Sequence, residues 1–336
     1  MRHIYSQLFL HRLVLIFFLF VLVSIDSICA EEKNSSSSKV KIWMLEWRGE
    51  TDAEKGFKDV LLKSDKKFEL VELDFKQKTD DLVNLLREDF LAKAEKFDYV
   101  YTYGSTITAR VKNAIPNNNI RHIATIVTDP IALALTTDLK SSGINKIVAK
   151  HVVDLETQII NASKLIKIKK LGFIFNPKEI NSNFVRENMQ KIAEKHGLTL
   201  VDIPVRPDVE GLNIAISAIK NKQYIIDSLY LPPDTFLTVN MDIITATVTK
   251  ELKIPVIAAI EDQLKKGALL GTVSSYKVIG EALAKEVLKD IEQNNKKRDV
   301  PVILDPNPEF KINEQIIKIL GINVPGELQK HLKDYK

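Results

Sequence analysis

Two short apolar strands, each followed by a polar turn, dominate the pattern of this 336-residue chain. Residues 100–102 and 123–127 are rich in β-branched and apolar side chains, which is typical of central strands in a parallel sheet. The first strand runs into a Gly-Ser-Thr turn and the second into Thr-Asp-Pro. Both turns are expected at the edge where open α/β sheets bind ligands. Ser105 or Thr106 is predicted to cap the following helix, whose free N–H groups suit a small carboxylate.

Elsewhere the apolar positions alternate between strand spacing and helix spacing in two series, one before and one after Lys150. This alternation predicts an α/β fold built on parallel sheets. Strands are predicted at 40–45, 68–73, 171–175, 198–205, 225–231 and 254–260. Helices are predicted at 53–63, over Leu82 to Phe97, within 152–167, and at 184–195, 211–221, 236–252 and 278–291.

Residues 1–30 are predicted to be a secretory signal peptide. Basic residues precede an apolar run over 13–23, which is too short for an easy membrane span, and cleavage is expected before Glu31. Lipidation of Cys29 is an alternative, although the residues before it fit that pattern poorly. Residues 31–38 form a polar, serine-rich linker. The protein is therefore expected to be exported to the periplasm or another extracytoplasmic space.

Composition narrows the possible functions. The formal charge is +4 and no basic stripe is present, so nucleic-acid binding is not expected. The single cysteine, Cys29, lies in the leader, which excludes a disulfide framework or a thiol nucleophile in the mature chain. No nucleophile elbow, phosphate-binding loop, dinucleotide fingerprint or zinc-type His-Glu motif is present. We therefore predict that the protein is not an enzyme and needs no cofactor or metal.

The order of the turns resembles that of ABC-transporter substrate-binding proteins, particularly those of the tryptophan- and tyrosine-binding type. The resemblance extends over most of residues 39–330. It is carried by Gly-Ser-Thr at 104–106, Thr-Asp-Pro-Ile-Ala at 128–132, Asn-Pro to Asn-Ser at 176–182, Pro-Pro-Asp at 232–234, and Pro-Val-Ile-Ala at 255–258 with the acidic pair after it. It implies a two-lobed periplasmic-binding-protein-like fold of type I, each lobe a parallel sheet flanked by helices.

The resemblance also implies partners and a domain arrangement. By this resemblance, a small zwitterionic ligand, expected to be an aromatic or other amino acid, would be captured between the lobes. It would be delivered to a membrane permease with its cytoplasmic ATPase. The first lobe is predicted to comprise residues 39–150 plus about 276–298, and the second 151–275 plus about 299–336. The turn at 143–145 is interpreted as the first crossing between the lobes.

The candidate ligand contacts lie at the strand ends. Hydroxyl and N–H groups of the first lobe would bind an α-carboxylate, and acids of the second lobe would bind an α-ammonium, since neither charge can be buried unpaired. Arg48 could also bind the carboxylate, and Trp47 and Tyr103 could form stacking walls. The full candidate set is Trp47, Ser105, Thr106, Thr128, Asp129, Asn176, Asn181, Ser182, Asp234, Glu261, Asp262 and Tyr276.

Structural alternatives remain open for several of these residues. Asn181 or Ser182 is expected to cap the helix that follows, and Asp129 to begin another helix as its cap. The acids of the second lobe could equally stabilise helix N-termini. Two alternative functions are a secreted α/β enzyme acting on a small acid, with Asp129 or Asp262 as base, and a ligand-sensing domain of a membrane receptor.

Overall fold

A computed structural model describes residues 39–115, 120–294 and 298–335. The predicted signal peptide and linker, residues 1–38, lie outside the described residues. The chain forms two sheets of five and seven strands with helices around them, which confirms the predicted α/β fold. No helix in the described ranges is long and apolar enough to cross a bilayer.

The first sheet is entirely parallel and has the order β2-β1-β3-β4-β5. Its two predicted central strands, β3 and β4, are buried along their whole length. The strands are β1 Val40–Glu46, β2 Phe68–Asp74, β3 Tyr99–Tyr103, β4 Arg121–Val127 and β5 Lys146–Lys150. The helices between them are α1 Asp52–Leu62, α2 Thr79–Glu88, α3 Phe90–Ala94 and α4 Gly104–Val111.

The second sheet has the order β12-β11-β10-β9-β8-β6-β7 and is parallel except between β10 and β11. Its strands are β6 Lys170–Phe175, β7 Thr199–Pro204, β8 Ser228–Leu231, β9 Val256–Ala258, β10 Leu270–Val273, β11 Glu309–Asn313 and β12 Leu332–Lys333. The helices of this half are α5 Leu155–Ser163, α6 Ile180–Lys195, α7 Val209–Lys220, α8 Thr235–Val239, α9 Met241–Ile244 and α10 Glu261–Lys265. A π-helix follows α9 at Thr245–Glu251. The remaining helices are α11 Tyr276–Glu292, α12 Glu314–Leu320 and a 3-10 helix at Gly326–His331.

Three predicted helices differ from the structure. The helix predicted at 236–252 is divided into α8, α9 and the π-helix. The helix predicted over Leu82 to Phe97 is divided at Asp89 into α2 and α3. After Asp129 the chain forms turns rather than the expected helix.

The long helix α11 follows the second sheet in the sequence but packs on the first. Its Ile279, Leu283 and Val287 share a core with Phe57 and Leu61 of α1. We refer to the first sheet with α1–α4 and α11 as the first lobe, and to the second sheet with its helices as the second lobe. The chain therefore passes from the first lobe to the second and back before its last strands.

The crossings differ in detail from the prediction. The turn at 143–145 leads into β5, which pairs with β4, so it lies within the first lobe. Residues 300–303 run beside β5, with a parallel bridge between Ala149 and Ile303. We therefore place the last crossing after Ile303 rather than near residue 299. The other crossings lie between β5 and α5 and between β10 and α11.

Candidate ligand-binding cleft

A cavity with about 420 Å³ of empty space lies where the two lobes meet, and we call it the ligand cavity. This volume includes space that is open to the solvent. The first lobe contributes Trp47, Arg48, Tyr103, Gly104, Ser105, Thr106, Ile126 and, from α11, Tyr276. The second lobe and the crossing before it contribute His151, Glu179, Asn181, Pro233, Asp234, Thr235, Thr238 and Ile260.

The first turn of α4 forms one wall of the ligand cavity. Gly104 has a φ of +79°, a conformation that glycine adopts without strain, and the helix begins there. The predicted capping by Ser105 or Thr106 is wrong, because both lie inside the helix and Tyr103 occupies the N-cap position. Ser105 Oγ instead accepts a hydrogen bond from the Thr128 N–H at 3.0 Å. The backbone N–H groups of this turn remain available to an anion.

Arg48 supplies a fixed positive charge beside this wall. Its Nη2 donates to Tyr103 Oη at 3.1 Å, and the guanidinium carbon lies 5.8 Å from the centre of the Tyr103 ring. Burial lowers the pKa of Arg48, but the neighbouring tyrosines and Asp262 raise it by more, so the net shift is upward. The guanidinium therefore remains charged, and its planar donors match a carboxylate.

Two carboxyl groups form the opposite pole of the ligand cavity. Asp234 is 1% exposed and accepts from Ser182 Oγ at 2.6 Å and from the Leu237 N–H at 3.0 Å. Burial and the nearby Asp234 raise the pKa of Glu179 to about 8, and burial also raises the pKa of Asp234. Neither carboxyl forms a salt bridge within the part of the chain that the structure describes. A cationic ligand group would compensate both.

The loop before α6 differs from the sequence prediction. Helix α6 begins at Ile180 with no side-chain cap, so neither Asn181 nor Ser182 caps it. Both lie inside the first turn, where Asn181 lines the ligand cavity and Ser182 hydrogen-bonds to Asp234. Asn176 is buried behind this loop, and its side-chain oxygen accepts from the Lys178 N–H at 2.9 Å.

Glu261 and Asp262 lie outside the ligand cavity, at a polar opening that shares Arg48 and Tyr276 with it. They occupy the first turn of α10, which faces this mouth of the cleft. Glu261 pairs with Lys311 at 2.7 Å. Asp262 Oδ2 lies 3.5 Å from Arg48 Nη2, and its side chain is 43% exposed.

Thr128 and Asp129 line a separate crevice between the lobes. Asp129 Oδ1 accepts from the N–H groups of Ile131 and Ala132, so it stabilises the turn after β4. This structural role is similar to the helix cap that the sequence analysis left open as an alternative for Asp129. The structure therefore brings together only part of the candidate set around the ligand cavity, namely Trp47, Ser105, Thr106, Asn181, Asp234 and Tyr276.

Ile126 lines the ligand cavity, although no sequence pattern pointed to it. It has a φ of +52° within β4, at an irregularity in the pairing with β5 between Ala124 and Val127. A β-branched residue in this region is strained by about 1–3 kcal/mol. The bulge brings the Ile126 side chain to the ligand cavity.

His151 was also missed, because it lies in the crossing between the lobes, where no local pattern distinguishes it. Its Nε2 lies 3.3 Å from Thr128 Oγ1, and its Nδ1 lies 3.4 Å from Tyr276 Oη. Burial lowers the pKa of His151 to about 3, so the ring is neutral. Glu179 could have been found, since it lies within the Asn-Pro to Asn-Ser segment that carries the family resemblance.

The chain belongs to the ABC transporter substrate binding protein family, whose model matches residues 40–336. The family resemblance predicted from the turns is thereby confirmed. The chain is 28% identical over 298 residues to a protein named tyrosine-binding protein from Clostridioides difficile strain R20291, covering 87% of this chain and 84% of that relative. Family and fold are those of substrate-binding proteins rather than enzymes.

Solved structures confirm the type I fold. One is an ABC domain from Streptococcus pneumoniae in complex with L-Trp, which is 21% identical, with a TM-score of 0.76 over 88% of this chain and 100% of that one. Another is the ligand-free, open form of a Clostridium difficile substrate binding protein with adhesive properties, which is 23% identical, with a TM-score of 0.65 over 88% and 100%. A third, from Bacillus halodurans with bound myo-inositol, is 15% identical, with a TM-score of 0.58 over 86% and 99%.

Proposed function

We propose that this protein is the solute-binding component of an ABC importer and that it captures a free amino acid in the ligand cavity. The observation that carries the proposal is the separation of charge across that cavity. Arg48 and the first turn of α4 lie on one side, and Glu179 and Asp234 lie on the other. An α-carboxylate and an α-ammonium would compensate these two poles together.

The walls between the two poles favour an aromatic side chain on the ligand. Trp47, Tyr103 and Tyr276 offer ring faces or edges, and Ile126 and Ile260 add apolar surface. The relative named for tyrosine and the structural neighbour bound to L-Trp agree with this preference.

Ligand binding would favour a closed arrangement of the lobes, because the ligand would contact both of them. In the structure the mouth of the cleft is bridged by Arg48 with Asp262 at 3.5 Å and by Asp52 with Lys265 at 3.8 Å. Each pair joins a first-lobe residue to a residue of α10. The closed surface would be recognised by the permease, which works with a cytoplasmic ATPase.

We further propose that the protein acts outside the cytoplasmic membrane after export through the signal peptide at 1–30. Family membership and the Leu13 to Val23 apolar run support this. Mass spectrometry of the exported protein would show an N-terminus at Glu31. A lipid-modified N-terminus at Cys29 would contradict this processing.

The decisive test is a thermal-shift screen of the purified protein against free amino acids, followed by calorimetry on every hit. We expect at least one aromatic amino acid to raise the melting temperature and to bind with one-to-one stoichiometry. No shift with any amino acid would contradict the proposal. Recovery of chemically changed ligand would favour the enzyme alternative, and capture of a receptor instead of a permease would favour the sensor.

A further inference from the structure

A second crevice lies between the lobes, next to the ligand cavity, with about 660 Å³ of empty space that includes space open to the solvent. We call it the side crevice. Thr128 lines the side crevice and contacts His151, which lines the ligand cavity, so the two spaces are neighbours. The first lobe contributes Lys150 at the end of β5, and the second contributes residues of α6.

Much of the side-crevice wall is apolar. Val152, Leu155 and Val185 are over 90% buried and belong to the core of the second lobe. Phe184 also lines the crevice, and its ring packs against a small core cluster of the first lobe. An apolar ligand body would therefore contact both lobes at once.

The two lysines that line the side crevice, Lys150 and Lys191, form neither a side-chain hydrogen bond nor an ion pair within the described ranges of the chain. The two acids of the crevice are already engaged. Asp129 accepts from two backbone N–H groups, and Asp154 accepts from the N–H and hydroxyl of Thr157 at 2.8 and 2.9 Å. Both carboxylates keep their charge at these turns. Lys150 is partly exposed and Lys191 is exposed, so their ammonium groups are solvated and free to contact an anion.

We propose that the side crevice binds a small organic acid with an apolar body. Its carboxylate would lie between Lys150 and Lys191, and its hydrocarbon part would contact Val152, Leu155 and Phe184. Because the lysines belong to different lobes, this acid binds more tightly when the lobes are closed. If the proposed function holds, the acid and the amino acid increase each other's affinity by the same factor.

The test uses calorimetry of the purified protein with sodium octanoate, first without any amino acid. We expect saturable one-to-one binding. The double variant Lys150→Gln, Lys191→Gln should weaken it at least about tenfold, because both cationic partners are lost. The matched control Lys167→Gln, Lys169→Gln removes the same charge from exposed lysines outside the crevice and should bind normally. Val153→Trp, which fills the crevice, should abolish binding.

Absence of saturable octanoate binding would overturn the proposal. So would binding that survives both the lysine double variant and Val153→Trp, because the acid would then bind elsewhere. Circular dichroism verifies that each variant is folded. Octanoate binding without any amino-acid binding would overturn the proposed function alone, and the reverse result would overturn only the side-crevice site.

Discussion

Buried charges in the ligand cavity are compensated unequally. Arg48 has Tyr103 as a hydrogen-bond partner and Asp262 at 3.5 Å. Glu179 instead lies near a second carboxyl group, that of Asp234. Burial raises the pKa of Glu179, and the charge of Asp234 raises it further. Among the charged groups of the ligand cavity, Glu179 should therefore contribute most to the pH dependence of the affinity for a zwitterion.

We expect affinity for the amino acid to increase from about pH 6.5 to about pH 8.5. The pKa of Glu179 is raised to about 8, so the free protein holds a proton there at neutral pH. A ligand ammonium favours the ionised carboxylate, so that proton is released on binding and higher pH assists it. Calorimetry across this range measures the trend, and Glu179→Gln should bind about tenfold more weakly with a flatter profile. A flat wild-type profile would contradict this role.

Removing the charge of Arg48 should weaken amino-acid binding much more than removing the charge of Asp262. We expect Arg48→Gln to weaken amino-acid binding at least about tenfold, because the carboxylate loses its charged partner. Asp262→Asn should change affinity less than about threefold, since a half-exposed ion pair contributes about 0–1 kcal/mol. Titration calorimetry of both variants compares them directly. Equal losses would show that Asp262 contacts the ligand itself, as the sequence suggested.

Strand-end positions such as Ser105 and Asp234 were predictable, because parallel strands bring their carboxyl ends to one edge of a sheet. The direction in which each side chain points could not be predicted in the same way. Glu261 and Asp262 also follow a strand, yet the first turn of α10 directs them to the mouth of the cleft. Ile126 reaches the cavity only through a backbone irregularity that no sequence pattern signals.

Helices α1 and α11 pack closely against each other. A Cβ atom at Gly280 would lie 2.0 Å from the carbonyl oxygen of Ala53, and one at Gly56 would lie 2.5 Å from that of Lys277. The two glycines therefore let the helix backbones approach each other directly. Tyr276, at the start of α11, is positioned in the ligand cavity by this contact.

We expect Gly280→Ala to destabilise the protein by about 2 kcal/mol, because the added methyl group forces the two helices apart. Urea unfolding measures the change. Gly326→Ala is the matched control, since a Cβ there meets nothing within 4 Å, and it should be nearly neutral. Similar stability of the two variants would show that the helices separate at little cost.

At the level of elements, the sequence predicted the type and order of most strands and helices correctly because their apolar periods are clear. The breaks within helices were harder to predict from the sequence. The segment after Asp234 looked like one helix, but the structure divides it at Asn240 and again at Thr245, where threonines occupy alternate positions up to Thr249. Likewise, Gly104 starts α4 earlier than the hydroxyl residues that resembled caps.

For the whole molecule, the family resemblance implied two lobes and a type I fold, and both are seen. The position of the last crossing between the lobes could not be predicted from the sequence, because residues 300–303 are too short a segment to show which sheet they join. Opening and closing would act through these crossings, with α10 of the second lobe approaching α1 of the first.

A covalent link across the mouth should trap the amino acid. In a Cys29→Ser background, the pair Asp52→Cys and Lys265→Cys replaces residues whose charged groups lie 3.8 Å apart across the cleft. Joining them with a short bismaleimide in the presence of radiolabelled ligand should slow its release at least about tenfold, because release requires the lobes to separate. Filter binding measures the rate. The same protein without cross-linker is the control, and unchanged release would show that the ligand escapes without opening.

The placement of α11 has a consequence for biosynthesis. The first lobe needs Ile279, Leu283 and Val287 to complete its core, yet the ribosome makes them only after most of the second lobe. A nascent first lobe thus exposes the apolar face of α1 until translation is nearly finished. If the chain is exported in extended form, as we propose, this delay would keep premature folding from blocking its passage.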